Sequence, residues 1–119
     1  MRGITLYHNP RCSKSRQTLQ LLEENGVTPE VILYLDTPPD AEEIKILLKK
    51  LGISARELLR KSEDAYKEHN LSDKSLSDDI LISAMMSCPK LIERPIAVSA
   101  TKAVLGRPPE NVMQLIKGD

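Results

Sequence analysis

A chain of 119 residues is long enough for one hydrophobic core and too short for two ordinary ones, so a single domain over residues 1–119 is expected. Its 17 Lys and Arg balance 17 Asp and Glu, which leaves no chain-wide field for nucleic acid or anionic lipid; any anion site must be local. With no Phe or Trp and three Tyr, the chain lacks aromatic platforms for single strands and must build its core from Leu, Ile, Val and Met.

Residues 4–7 form a short β-prone run, broken by His8-Asn9-Pro10-Arg11 before a helical pattern begins near Cys12 or Ser13. That helix carries Leu19 and Leu22 on one face and stops at Asn25-Gly26, where glycine supplies a left-handed cap. The apolar run 31–35 reads as a second, buried strand, closed by Asp36-Thr37-Pro38-Pro39. Asp40 with Glu43, and Ser54 with Glu57, have capping-box spacing and start two helices. The first buries Ile44, Leu47, Leu48 and Leu51 and ends at Gly52; the second carries Leu58, Leu59 and Arg60. Residues 61–74, including His69, read as polar, solvated and poorly ordered.

Ser77 then caps a helix through Ile80, Ala84 and Met85, with Leu76 placed to staple onto Leu81, and the helix ends at Cys88-Pro89. Residues 96–98 and 103–105 read as a hairpin around Ala100-Thr101, a turn without the usual Gly or Asn. Pro108-Pro109 suits the first turn of a last helix with Val112, Leu115 and Ile116. The order βαβ, helices, ββα is that of an α/β, thioredoxin-like fold with a helical insert and a mixed sheet flanked by helices.

The N-terminus turns polar before a signal-like apolar region develops, and no run approaches bilayer length, so no membrane association and a cytoplasmic location are expected. Two cysteines, Cys12 and Cys88, cannot build a disulfide framework or a four-cysteine zinc site, and no metal is expected. Their scarcity fits a reducing compartment.

Cys12 stands where the first strand hands over to the first helix, so unpaired helix amides and the positive end of the helix dipole face it. Arg11, Lys14 and Arg16 add positive charge, and both effects favour the thiolate. The same loop can receive a tetrahedral oxyanion. Cys12-Ser13-Lys14-Ser15 is C-x-x-S, so a resolving thiol must be Cys88 or come from another molecule; Cys88, ending an apolar helix, reads as a packing residue. Asn9 is placed to order the loop, and Ser15 to donate a hydrogen bond to the thiolate.

The run Tyr7-His8-Asn9-Pro10-Arg11-Cys12-Ser13-Lys14-Ser15-Arg16 resembles the active-site loop of the glutaredoxin-coupled arsenate reductases. Glu93-Arg94-Pro95-Ile96 and Gly106-Arg107-Pro108-Pro109 resemble the two later signatures of that family, and the length is similar to its short chromosomal branch. The resemblance implies that Cys12 attacks arsenate while Arg60, Arg94 and Arg107 bind its oxygens, guanidinium forks neutralising an anion that a thiolate could not otherwise approach. It further implies that His8 tunes the thiol and that Pro95 is held in cis beside it. No bound cofactor is implied; glutathione is the co-substrate, and glutaredoxin resolves the Cys12–glutathione mixed disulfide. A monomer is expected, because a partner protein must reach Cys12.

Other readings keep the same fold. One is a non-enzymatic redox-responsive regulator that binds RNA polymerase, although such relatives often sense through a C-x-x-C pair that this chain lacks. Another is a thiol reductase acting on a different oxyanion or on glutathione mixed disulfides. A plain glutaredoxin would leave the three arginines without a purpose.

Overall fold

The computed structural model describes residues 3–117; Met1 and Arg2, at the head of the segment read for a signal sequence, lie outside them. Among the described residues, four strands, β1 (Thr5–Tyr7), β2 (Glu30–Ile32), β3 (Ile96–Val98) and β4 (Ala103–Leu105), accompany six helices. These are α1 (Ser13–Glu24), α2 (Ala41–Leu51), α3 (Ala55–Leu58), α4 (Asp64–Glu68), α5 (Asp78–Ser87) and α6 (Met113–Lys117), with 3-10 turns at Pro89–Leu91 and Pro109–Val112. No helix among the described residues is long and apolar enough to cross a membrane.

The chain forms two compact units, Pro38–Glu93 and the remainder on either side of it. In the unit built from the two chain ends, the sheet order is β2-β1-β3-β4, with β1 and β2 parallel and the other neighbours antiparallel. This is the mixed sheet and the α/β class expected. Ile4, Leu6, Leu22, Ala97, Val112 and Leu115 make its buried core, with Leu19, Val27, Val104 and Ile116 packed against them. Each fully buried Leu, Ile or Val side chain of this core contributes roughly 1.5–3 kcal/mol by leaving water. α1 ends as anticipated: Gly26 adopts φ 79°, and the Val27 N–H returns to the Leu22 carbonyl at 2.9 Å. Pro109 opens the C-terminal helical segment as expected.

The hairpin turn replaces glycine with a side chain. The Ser99 hydroxyl accepts from the Thr101 and Lys102 amides at 3.4 and 3.2 Å and donates to the Lys102 carbonyl, while the Ser99 N–H reaches the same carbonyl at 2.8 Å. The hydroxyl thus anchors the backbone that a Gly or Asn would have relaxed.

β2 corrects the reading of 31–35 as a buried strand. It is the sheet edge, and Val31 and Leu33 are each 41% exposed. The strand stops at Ile32, and the Leu33 carbonyl accepts from the Asp36 and Thr37 amides, so the apolar run turns and buries Tyr34. An unbroken apolar run is compatible with both outcomes, because pairing partners, not periodicity, decide which strand lies at an edge.

In the unit Pro38–Glu93, both capping boxes form, Asp40 with Glu43 and Ser54 with Glu57, and Ser77 caps α5. Ile44, Leu47, Leu58, Leu71, Leu81, Ile82, Met85 and Leu91 are buried. Two expectations fail here. α3 stops at Leu58; Leu59 is extended and bridges to Ile92, so Arg60 lies beyond the helix, its N–H on the Leu91 carbonyl at 2.7 Å. The stretch 61–74 is structured: it contains α4, buries Leu71 at 2% exposure, and is tied down by the Arg56 guanidinium on the Leu71 and Asp73 carbonyls at 2.8 and 2.9 Å. His69, at the end of α4, is exposed.

Candidate active site

The loop between β1 and α1 is built from its own polar groups. The His8 N–H donates to the Ile32 carbonyl at 2.9 Å, which holds the end of β1 against β2. Asn9 Oδ1 then accepts the Arg11 N–H at 3.0 Å, the side chain imitating a backbone turn, and the Asn9 carbonyl accepts the Cys12 N–H at 3.0 Å. Arg16 reaches back from α1 to the Pro10 carbonyl at 2.8 Å. The chain is thereby delivered to Cys12 in the extended conformation of a helix N-cap, φ −94° and ψ 124°.

Cysteine closes no full capping bond as serine would, but the backbone N–H groups of Ser15 and Lys14 face its sulfur. Burial pushes the Cys12 thiol up. The Ser15 N–H, the Arg94 guanidinium through a hydrogen bond and its charge, and the Lys14 N–H outweigh it, so the thiol lies below its ordinary value. The cation that acts on the sulfur is therefore Arg94. The side chains of Arg11, Lys14 and Arg16, the neighbours in sequence, are exposed.

Ser15 is fully buried, and its hydroxyl is turned from the thiol: it shares a 2.8 Å hydrogen bond with His8 Nδ1 and accepts the Asn9 N–H at 3.0 Å. What Ser15 presents to Cys12 is its backbone N–H, which corrects the expectation that the hydroxyl would do so. Burial, and then the charge of Arg16, lower the pKa of His8, which favours the neutral imidazole.

Arg94 is followed by a cis peptide bond to Pro95, and Arg107 by another to Pro108. Arg107 donates to the Arg94 carbonyl at 3.3 Å, so Cys12, Arg94 and Arg107 form one connected group. Arg60 belongs to the other unit, where its guanidinium meets Glu93 at 2.8 Å and Glu63 at 3.4 Å. Cys88, half-buried, closes α5 in that unit. Among the described residues no cluster of three or more His, Cys, Asp or Glu is placed to hold a metal ion.

Sequence reasoning missed Thr18 and the steric role of Gly106. Thr18 is fully buried on α1, donates to the Lys14 carbonyl at 2.8 Å, and sits against Gly106. A Cβ at Gly106 would lie 2.5 Å from Thr18 Oγ1 and 2.7 Å from Pro95 Cγ, while the Gly106 N–H donates to the Pro95 carbonyl at 2.9 Å. The missing side chain lets the Arg107 segment approach both α1 and the Pro95 segment. A threonine one turn beyond a C-x-x-S was the available signal.

A family model, described as the ArsC family, matches residues 7–115, from the end of β1 into α6. The chain belongs to the ArsC family. It is 50% identical over 113 residues to an arsenate reductase of Neisseria meningitidis, covering 94% of this chain and 97% of the relative. It is 61% identical over 114 residues to the uncharacterized protein YfgD of Escherichia coli, covering 95% and 96%. Among solved structures, the arsenate reductase from Vibrio cholerae superposes with a TM-score of 0.93 at 53% identity over 95% of this chain and 97% of that one. The expected thioredoxin-like architecture is thus the ArsC fold.

Proposed function

We propose that this ArsC-family protein is an arsenate reductase with Cys12 as nucleophile and glutathione and glutaredoxin as electron donors. The observation that carries the reading is the Arg94 guanidinium on the Cys12 thiol at the N-terminus of α1, with Arg107 bonded behind it. One cation lowers the cost of the thiolate and offers donors to an incoming oxyanion. The names of the Neisseria and Vibrio relatives support arsenate as that oxyanion. The proposed part of Arg60 in oxyanion binding rests on the resemblance.

The thiolate attacks arsenic(V), a sulfur–arsenic bond forms, and one arsenate oxygen leaves as water after protonation. The glutathione thiolate then attacks Cys12 Sγ. A sulfur–sulfur bond forms, the sulfur–arsenic bond breaks with its electron pair passing to arsenic, and arsenite departs. A second glutathione, acting through glutaredoxin, displaces the mixed disulfide as glutathione disulfide and restores Cys12. Both cysteines are free thiols, and the reaction belongs in a reducing cytoplasm. A monomer leaves Cys12 open to glutaredoxin.

The test is arsenite formation by purified protein given arsenate, glutathione and glutaredoxin, beside a Cys12→Ser control. Turnover that vanishes in the control is expected; turnover that persists there would overturn the mechanism.

A further inference from the structure

The β1–α1 loop has a second wall. His8, Asn9, Pro10 and Arg11 face Leu33, Leu35 and Asp36 across a half-open cleft of about 330 Å³. That volume is at the small end for organic-ligand sites, too large for a bare oxyanion and right for a small peptide or part of one. Its chemistry is mixed. Leu33 and Leu35 supply apolar surface, Arg11 a guanidinium and Asp36 a carboxylate, and among the described residues neither of those charges is in an ion pair. A ligand that satisfies such a lining carries both an ammonium and a carboxylate on a short, partly apolar backbone.

The cleft also has a defined relation to the nucleophile. Arg11 directly precedes Cys12, and the Asn9 carbonyl on the cleft wall accepts the Cys12 N–H at 3.0 Å, so the wall ends one residue from the reacting sulfur. Two hydrogen bonds brace this loop, Asn9 Oδ1 accepting the Arg11 N–H and the Arg16 guanidinium donating to the Pro10 carbonyl. The oxyanion donors Arg94 and Arg107 do not line it. The cleft is therefore distinct from the Arg94–Arg107 group that meets the same sulfur.

We propose that this cleft seats the zwitterionic thiol peptide that attacks the Cys12 adduct, glutathione in the reading above, with Asp36 receiving the ammonium, Arg11 a carboxylate, and Leu33 and Leu35 the aliphatic stem. The assignment rests on that reading for the identity of the thiol and deepens it by locating the second substrate. It accounts for the exposure of Leu33, just past the edge strand β2 and beside the active loop.

Two measurements test it on the full chain. In the first, isotope-labelled protein is titrated with S-methylglutathione, which binds without reacting; amide shifts are expected at His8, Asn9, Arg11 and 33–36, and Asp36→Asn is expected to weaken the titration about 5- to 10-fold. In the second, arsenite formation is compared with glutathione and with 2-mercaptoethanol, which lacks both charged ends; Asp36→Asn and Arg11→Gln are each expected to lower the ratio of kcat/KM for glutathione to that for 2-mercaptoethanol by a similar factor. Shifts centred elsewhere, or an unchanged ratio, overturn the assignment. Absence of arsenite formation with the cleft shifts intact would retire arsenate as substrate and leave the thiol-peptide seat standing.

Discussion

Arg94 and Arg60 are both arginines that the family pattern marks for oxyanion binding, and their surroundings differ. Arg94, in the unit built from the chain ends, hydrogen-bonds the Cys12 thiol and receives the donor of Arg107 on its carbonyl. Arg60, in the unit Pro38–Glu93, faces the carboxylates of Glu93 and Glu63. A guanidinium matched by carboxylates casts little field beyond them, whereas one beside a titratable thiol transfers its charge to that thiol's pKa. The same residue type thus meets a titratable thiol in one place and two carboxylates in the other.

The largest expected effect comes from breaking the first member of the pair. Arg94→Ala is expected to lower kcat/KM for arsenate by about 100-fold or more. It should also move the midpoint of the pH dependence of Cys12 alkylation by iodoacetamide upward, toward an ordinary thiol. Arg60→Ala should leave that alkylation midpoint where it is and cost about 1 kcal/mol in urea unfolding, the scale of a partly exposed ion pair. An alkylation midpoint that rises equally in both variants would dissolve the distinction.

Gly106→Ala sharpens the comparison from another side, since it pushes the Arg107 segment away from Thr18 and Pro95 without touching a charge. A loss of about 1–3 kcal/mol in urea unfolding is expected, together with a higher KM for arsenate. Wild-type stability and KM would show that the close approach is unimportant.

The smallest effect is the pH response of His8. Its pKa is lowered in the fold by burial and then by Arg16, so the unfolded chain takes up the proton first as pH falls. The stability that His8 contributes is full above the unfolded value near 6.5 and is lost as pH falls through the lower folded value. Urea midpoints from pH 7 downward should decline less steeply in His8→Gln than in wild type; parallel slopes would show that His8 is not the titrating group.

Much of the local structure was legible along the chain. Asp40, Ser54 and Ser77 cap helices where their spacing to later residues required, and Gly26 and Gly52 adopt the positive φ of helix ends. Capping depends on groups within four residues, so the information is in the sequence window itself. The placement of Cys12 ahead of α1 has the same origin. The exposure of Val31 and Leu33 and the burial of Leu71 were not legible, because each depends on which distant segment lies opposite.

The site divides along the same line. The turn from His8 to Cys12, its Asn9 hinge and the helix amides facing the sulfur follow from sequence alone, since each is a contact among near neighbours. Tertiary structure decided which cation meets the thiol. It selected Arg94 over the adjacent Arg11, Lys14 and Arg16, turned the Ser15 hydroxyl to His8, and gave Arg60 two carboxylates. Side chains close in sequence on a helix N-terminus point outward around its axis, and only a segment crossing above that terminus can lay a guanidinium on the sulfur.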